Sequence, residues 1–238
     1  MKLINKILFI SLIICSSACK NDDEGVPPEK RQLVDYFVYQ GNSYTVSYNE
    51  DYLIESIRIL DAIYTFTYEN EKISRISHVQ NAQEDTYQFY YNGDGVLNSF
   101  DKNDYNYEVD YNPNTLTYSY SNGLLNGSSF YFTVNELGDL KDFRREPVNG
   151  NDESWGYEFD TQKKGALYNT NSISLYLYII QINSLDIAMP FSKYPVRNIY
   201  NNNTNYECSN QYDEEQFITK TEVLFNEVDY VYKIVEVY

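Results

Sequence analysis

Six short segments of this chain, and a seventh more loosely, share one pattern: a large apolar residue, two residues later another, two later a third, and then a polar turn. Four of them read Tyr-x-x-x-Tyr. Tyr44-Thr-Val-Ser-Tyr48 runs into Asn49-Glu50-Asp51, and Tyr64-Thr-Phe-Thr-Tyr68 into Glu69-Asn70-Glu71. Tyr87-Gln-Phe-Tyr-Tyr91 runs into Asn92-Gly93-Asp94-Gly95, and Tyr107-Glu-Val-Asp-Tyr111 into Asn112-Pro113-Asn114. Weaker copies are Phe130 to Val134 with Asn135, Trp155 to Phe159 with Asp160, and Cys208 to Tyr212 with Asp213. The first six start at 44, 64, 87, 107, 130 and 155, so the spacing is 20 to 25 residues. Self-similarity at such a period means one supersecondary unit used repeatedly.

Inside each unit the period is two. Tyr44, Val46 and Tyr48 share one face, and Thr45 and Ser47 the other. Strict alternation of aromatic and β-branched with polar residues is the mark of a half-buried strand. The Asn, Asp and Gly residues that come next tolerate turn backbone, and a second apolar run returns after each turn, as at Leu53, Ile57 and Ile59. Each unit is therefore a β-hairpin. The expectation is a mainly β chain: an antiparallel up-and-down meander of about twelve to fourteen strands. A twisted open sheet seldom exceeds about ten strands, and one aromatic face must be covered. The meander should curl into a barrel-like or half-barrel sheet around an apolar interior. A membrane pore also alternates, but its apolar band faces lipid on strands of about ten residues; these units are shorter.

The unit, Tyr-x-x-x-Tyr-(Asn/Asp)-x-x-(Gly)-x-(Leu/Ile), resembles a degenerate tyrosine-aspartate repeat of large bacterial shell proteins. It is more similar to a family of Bacteroidetes lipoproteins with tyrosine-rich, curved, porin-like antiparallel sheets. The likeness extends over most of residues 36–238. It includes Met189-Pro190-Phe191-Ser192-Lys193-Tyr194-Pro195-Val196, Tyr212 to Lys220 and the closing Tyr230-Val231-Tyr232. Most units here lack the turn glycine. The resemblance implies a fold and a short non-sheet insertion before the last hairpin; it implies no activity.

That insertion has a counterpart in residues 166–206, where the rhythm breaks. Ser172 to Ile187 is the most apolar stretch outside the amino terminus. Spacing of three to four puts Leu175, Tyr178, Ile179 and Ile182 on one helical face, whereas spacing of two puts Tyr176, Tyr178, Ile180 and Ile182 on one strand face. Its β-branched and aromatic content favours a strand, with a short helix or lid after it near Leu185–Ser192. A plug or lid and plain core packing are both open readings.

The amino terminus is an address. Lys2 and Lys6 precede an apolar run from Ile7 to Ile14, too short to span a bilayer. Ser16-Ser17-Ala18-Cys19 then resembles the lipobox of bacterial lipoproteins, which implies cleavage before Cys19 and its acylation. More than one acyl chain gives stable anchoring. Lys20, Asp22, Asp23 and Glu24 resemble the surface-export signal of Bacteroidetes lipoproteins. The expected organisation is a signal peptide at 1–18, a lipid anchor and flexible acidic tether at 19–34, and one β-meander domain at 35–238. The expected location is the outer membrane, on its extracellular face.

Composition excludes much. With 35 acidic against 18 basic residues the formal net charge is −17, which repels nucleic acid and anionic lipid. With 3 Cys and 1 His there is neither a disulfide scaffold nor a zinc site. Cys15 leaves with the signal and Cys19 takes lipid, so Cys208 is read as apolar filler. His78 lies at a strand end with no nucleophile motif beside it. The carboxylates fall mostly on polar strand faces and in turns, so no enzyme is expected; a hydrolase using paired carboxylates is the alternative. No cofactor is expected. Asn92 with Asp94, and Asn149 with Asn151 and Asp152, are weak candidates for calcium, since each cluster offers oxygen ligands. Trp155 and the outward rings Tyr90, Tyr118, Tyr120 and Tyr131 are candidates for stacking on sugars. The functional expectation is a surface binding or accessory protein whose partner is a glycan or an outer-membrane protein. A carrier holding an apolar ligand or lipid inside the curled sheet is the other reading.

Overall fold

The computed structural model describes residues 31–39, 41–122, 127–180, 191–201, 204–223 and 228–237. The signal peptide, Cys19, Lys20, Asp22, Asp23 and Glu24 lie outside the described residues.

Each tyrosine unit is a strand and each return run is its partner. In order they are β1 (Arg31–Tyr39), β2 (Asn42–Tyr48), β3 (Ile54–Ile59), β4 (Ala62–Glu69), β5 (Lys72–Gln80), β6 (Gln83–Tyr91), β7 (Leu97–Lys102) and β8 (Tyr105–Glu108). Next come β9 (Asp110–Asn112), β10 (Thr117–Asn122), β11 (Ser128–Val134), β12 (Leu140–Glu146) and β13 (Glu153–Phe159). After helix α1 (Ser174–Ile179) come β14 (Val196–Asn201), β15 (Thr204–Tyr212), β16 (Ile218–Val223) and β17 (Val228–Val237). Apart from β8 and β9, neighbours along the chain pair antiparallel, and β1 pairs with both β2 and β17, so the 17-stranded sheet comes nearly full circle into a barrel.

Seventeen strands exceed the expected twelve to fourteen. The seven units and their returns supply most of them. The excess is β1, β17 and the division of β8 from β9. β1 was concealed because Arg31, Gln32, Leu33 and Val34 fall in the stretch that composition assigns to the tether; Gln32, Leu33 and Val34 are buried instead. An antiparallel ring also needs an even count. β8 and β9 meet that need, being two halves of one run interrupted at Val109, whose amide donates to the Asn98 carbonyl at 2.9 Å.

The rim where the tyrosine units end is built by side chains. The Asn or Asp after the unit accepts backbone amides two and four residues on: Asn49 from Asp51 and Leu53, Asn92 from Asp94 and Val96, Asn135 from Leu137 and Asp139, and Asp213 from Glu215 and Phe217. The bend closes in the same way whether the residue at positive φ is a glycine, as at Gly95 and Gly138, or a larger one, as at Tyr52 and Gln216. Where tight turns lack glycine, Leu60, Asn70, Glu71, Asn81 and Ala82 take positive φ themselves, at a cost of about 1 kcal/mol or more for each such ordinary side chain. The register also shifts by a residue just before Tyr48, Tyr68, Tyr91, Val134, Phe159 and Tyr212, so the last residue of six of the seven units sits after a bulge.

The barrel interior is aromatic and closely packed. Phe37, Ile57, Ile76, Phe89, Phe100 and Phe132 are all buried there, each stabilising by about 1.5–3 kcal/mol. Phe100 stacks on Tyr107 at 4.8 Å, Tyr120 stacks on Phe130 at 5.0 Å, and Phe100 meets Tyr120 edge-on at 5.1 Å. The outer face carries Thr45, Arg58, Thr65, Arg75, Gln88 and Asp101.

Part of the connection between β13 and β14 lies inside the barrel. Four consecutive side chains fasten it to the rim: Asn169 Nδ2 donates to the Gln32 carbonyl, Thr170 Oγ1 to Tyr52, Asn171 Nδ2 to Glu71 and Ser172 Oγ to Gly138. The chain then enters the interior as α1, burying Ile173, Leu175, Leu177 and Ile179. The strand expected at the start of Ser172–Ile187 is thus a helix. Inside a barrel every wall strand is already paired, so an inner strand would leave its amides and carbonyls unpaired, whereas a helix satisfies its own. The helix expected near Leu185–Ser192 falls largely on 181–190, outside the described residues. Gly165 permits a close crossing in this connection: a Cβ there would lie 2.6 Å from the Ser192 carbonyl oxygen.

Candidate functional site

Alternation along β10 to β14 sorts the candidate rings. Tyr120 is buried among Phe100, Tyr107 and Phe130. Tyr118 lies on the same inner face, 4.6 Å from Tyr111. Trp155 packs against the core. Tyr118 and Tyr120 are corrections to the outward assignment: an aromatic return strand shows two faces by its period, and only pairing decides which is inner. Tyr90 and Tyr131 do face outward. Tyr90 is exposed, and its hydroxyl donates to Asp101 at 2.7 Å.

Tyr131 borders a groove of about 480 Å³ on the outer face. Its floor is a straight register row across five strands. Thr117 pairs with Thr133, Thr133 with Asp142, Asp142 with Gly156 and Gly156 with Tyr200. The neighbouring row runs from Tyr131 through Arg144 to Ser154. Small side chains at Thr117, Thr133 and Gly156 make the hollow, and larger ones at Tyr131, Arg144 and Tyr200 make its walls.

Glycine at 156 keeps the hollow open. A Cβ there would lie 2.9 Å from Asp142 Oδ1. Asp142 faces the groove, and loss of water to its walls pushes the carboxyl above the ordinary 3.8, with Lys141 pulling it back only in part. The walls are held from behind. The Tyr200 hydroxyl donates to Glu158 at 2.7 Å, Asn198 Nδ2 donates to the same oxygen at 2.7 Å, and Arg197 pairs with the other oxygen of Glu158. The Arg144 guanidinium lies 4.5 Å from the centre of the Tyr131 ring and pairs with Glu146 at 3.0 Å. Thr117 and Thr133 share a hydroxyl hydrogen bond of 3.0 Å.

The remaining candidates do not join this groove. Asn92 spends its oxygen on two turn amides, and Asp94 is exposed beside it. Asn149, Asn151 and Asp152 are exposed between β12 and β13. Among the described residues no three His, Cys, Asp or Glu side chains cluster closely enough to hold a metal. His78 stacks on Tyr64 with ring centres 4.4 Å apart, and burial lowers its pKa. Cys208 is buried opposite Val223, and burial pushes its thiol up to about 12. Sequence reasoning missed Asp142, Gly156 and Tyr200, since a row of this kind exists only once the strand register is known.

Among solved structures, the chain is similar to a porin-like protein from Bacteroides vulgatus, at 17% identity and a TM-score of 0.49, over 84% of this chain and 98% of that one. It is also similar to a porin-like protein from Bacteroides uniformis, at 13% identity and a TM-score of 0.39, over 82% of this chain and 78% of that one. No family model matches the chain, and no curated protein does.

Proposed function

We propose that this chain is an outer-membrane lipoprotein, held at the cell surface by lipid on Cys19, which acts as a binding or accessory protein rather than an enzyme. The observation that supports it is the polarity of the barrel. A bilayer-spanning barrel turns an apolar band outward to lipid. Here Phe37, Phe100 and Phe132 are inside, and Arg58, Arg75 and Asp101 are outside. Such a barrel stands in water, and membrane attachment falls to the acylated amino terminus, with Lys20, Asp22, Asp23 and Glu24 directing export. The insertion of α1 into the interior counts against the carrier reading, because Leu177 and Ile179 occupy space that an apolar ligand would need. Ligand contact then belongs to the outer face.

The test is fractionation of cells expressing the full chain. Wild type should sediment with the outer membrane and be digested by proteinase added to intact cells. Cys19→Ala should appear in the soluble fraction. Membrane retention of Cys19→Ala, or protection of the wild type in intact cells, would overturn the corresponding half of the proposal.

A further inference from the structure

The groove across β10 to β14 has a chemistry of its own, and a ligand there rests on the reading of the chain as a surface binding protein. Its floor and walls present hydroxyls at Thr117 and Thr133, a carboxylate at Asp142, a guanidinium at Arg144 and aromatic rings at Tyr131 and Tyr200. An anionic ligand would meet Asp142 within a chain of net charge −17. A cationic ligand would meet Arg144 beside the same carboxylate. An apolar ligand would strand the polar floor without partners. A neutral molecule that both donates and accepts hydrogen bonds, and also has an apolar face, satisfies every group. That describes a pyranose ring: vicinal hydroxyls donate to a carboxylate and accept from a guanidinium, and the C–H face lies on an aromatic ring. A volume of about 480 Å³ suits a small ligand of that kind.

We infer that this groove is a saccharide site, taking a neutral pyranose over Gly156, with its apolar face against Tyr200 and its hydroxyls bonded to Asp142 and Arg144. The walls are already ordered. Glu158 holds the Tyr200 hydroxyl, and Glu146 holds Arg144 over Tyr131, so binding loses little side-chain freedom.

Trp155 lies on a strand of the groove floor, but its indole packs inward against the core, so occupancy is read by isothermal titration calorimetry. Full-length lipidated protein in detergent is titrated with gluco-, manno-, galacto- and xylo-configured trisaccharides at millimolar concentrations, and with trilysine. At least one trisaccharide should give a saturable heat of binding, and trilysine none. Tyr200→Ala should weaken that binding by about tenfold or more, and Arg144→Ala likewise; Tyr200→Phe should retain most of it. Both exposed sites allow the fold to be checked by circular dichroism. No response to any trisaccharide overturns the inference, as does a preference for trilysine. So does sugar affinity that stays within about twofold in both alanine variants. Membrane retention, scored separately, tells failure of this inference from failure of the anchored-lipoprotein reading.

Discussion

Tyr91 Oη lies 3.0 Å from Tyr176 Oη, which joins the barrel wall to the helix inside it. Tyr91 also donates to the Ile73 carbonyl at 2.6 Å. Its one proton is therefore committed, and Tyr176 is the donor in the pair. Tyr176→Phe removes one hydrogen bond and should cost about 1 kcal/mol. Tyr91→Phe leaves both the Ile73 carbonyl and the Tyr176 hydroxyl without this partner, and should cost more. Denaturant unfolding of the two variants checks the order; equal costs would mean that the bond to the Ile73 carbonyl contributes nothing.

Asn92 tests the turns. Its side-chain oxygen holds the amides of Asp94 and Val96 at 3.0 Å each. Asn92→Ala should destabilise by about 1–2 kcal/mol, while Asn92→Asp should be nearly neutral, because Asp213 makes the same pair of bonds in its own turn. Thermal melts of both variants distinguish this from a turn held by Gly95 alone.

Leu177 tests the plug. It is 1% exposed, on a helix enclosed by the sheet. Leu177→Ala should cost about 2–5 kcal/mol. A loss below about 1 kcal/mol, well under that range, would show that the helix does not pack against the inner wall.

Alkaline pH should unfold the barrel. Burial pushes Tyr64 and Tyr118 from the ordinary 10.0 up to about 12, and raises Tyr48, Tyr68, Tyr87 and Tyr91 further still. Above the ordinary value the unfolded chain releases protons that the folded one keeps. The stabilisation is fully present below pH 10 and is lost as pH rises through 12 and beyond. Tyrosinate absorbance should therefore rise together with loss of near-ultraviolet circular dichroism. Ionisation of most tyrosines with the aromatic dichroism intact would contradict their burial.

Much of the architecture is legible in residues such as Tyr44, Val46, Tyr64 and Phe66, whose period-two spacing gives strand, inner face and hairpin together. The turns are legible too, since Asn49 and Asn92 stand where their side chains cap the bend. Facing is less so. Tyr118 and Tyr120 alternate as cleanly as Tyr131, and only the pairing of β10 with β11 turns them inward. The helix at Ser174–Ile179 has the composition of a strand, and its enclosure within paired walls decides the outcome. The groove was hidden for a different reason: Thr117 and Tyr200 become parts of one row only when the intervening strands fall into register.

The four rim bonds of Asn169 to Ser172 have a mechanical consequence. A nearly closed sheet has one soft deformation that breaks none of its ladder: flattening from a circle to an ellipse. Three of the anchor carbonyls, on Gln32, Tyr52 and Glu71, belong to the first third of the wall, and the fourth, on Gly138, belongs to a turn farther round it. Any flattening changes the distances between them. The short polar run acts as a strut across that mouth, fixing its cross-section and, through the wall, the curvature on which the outer groove is formed.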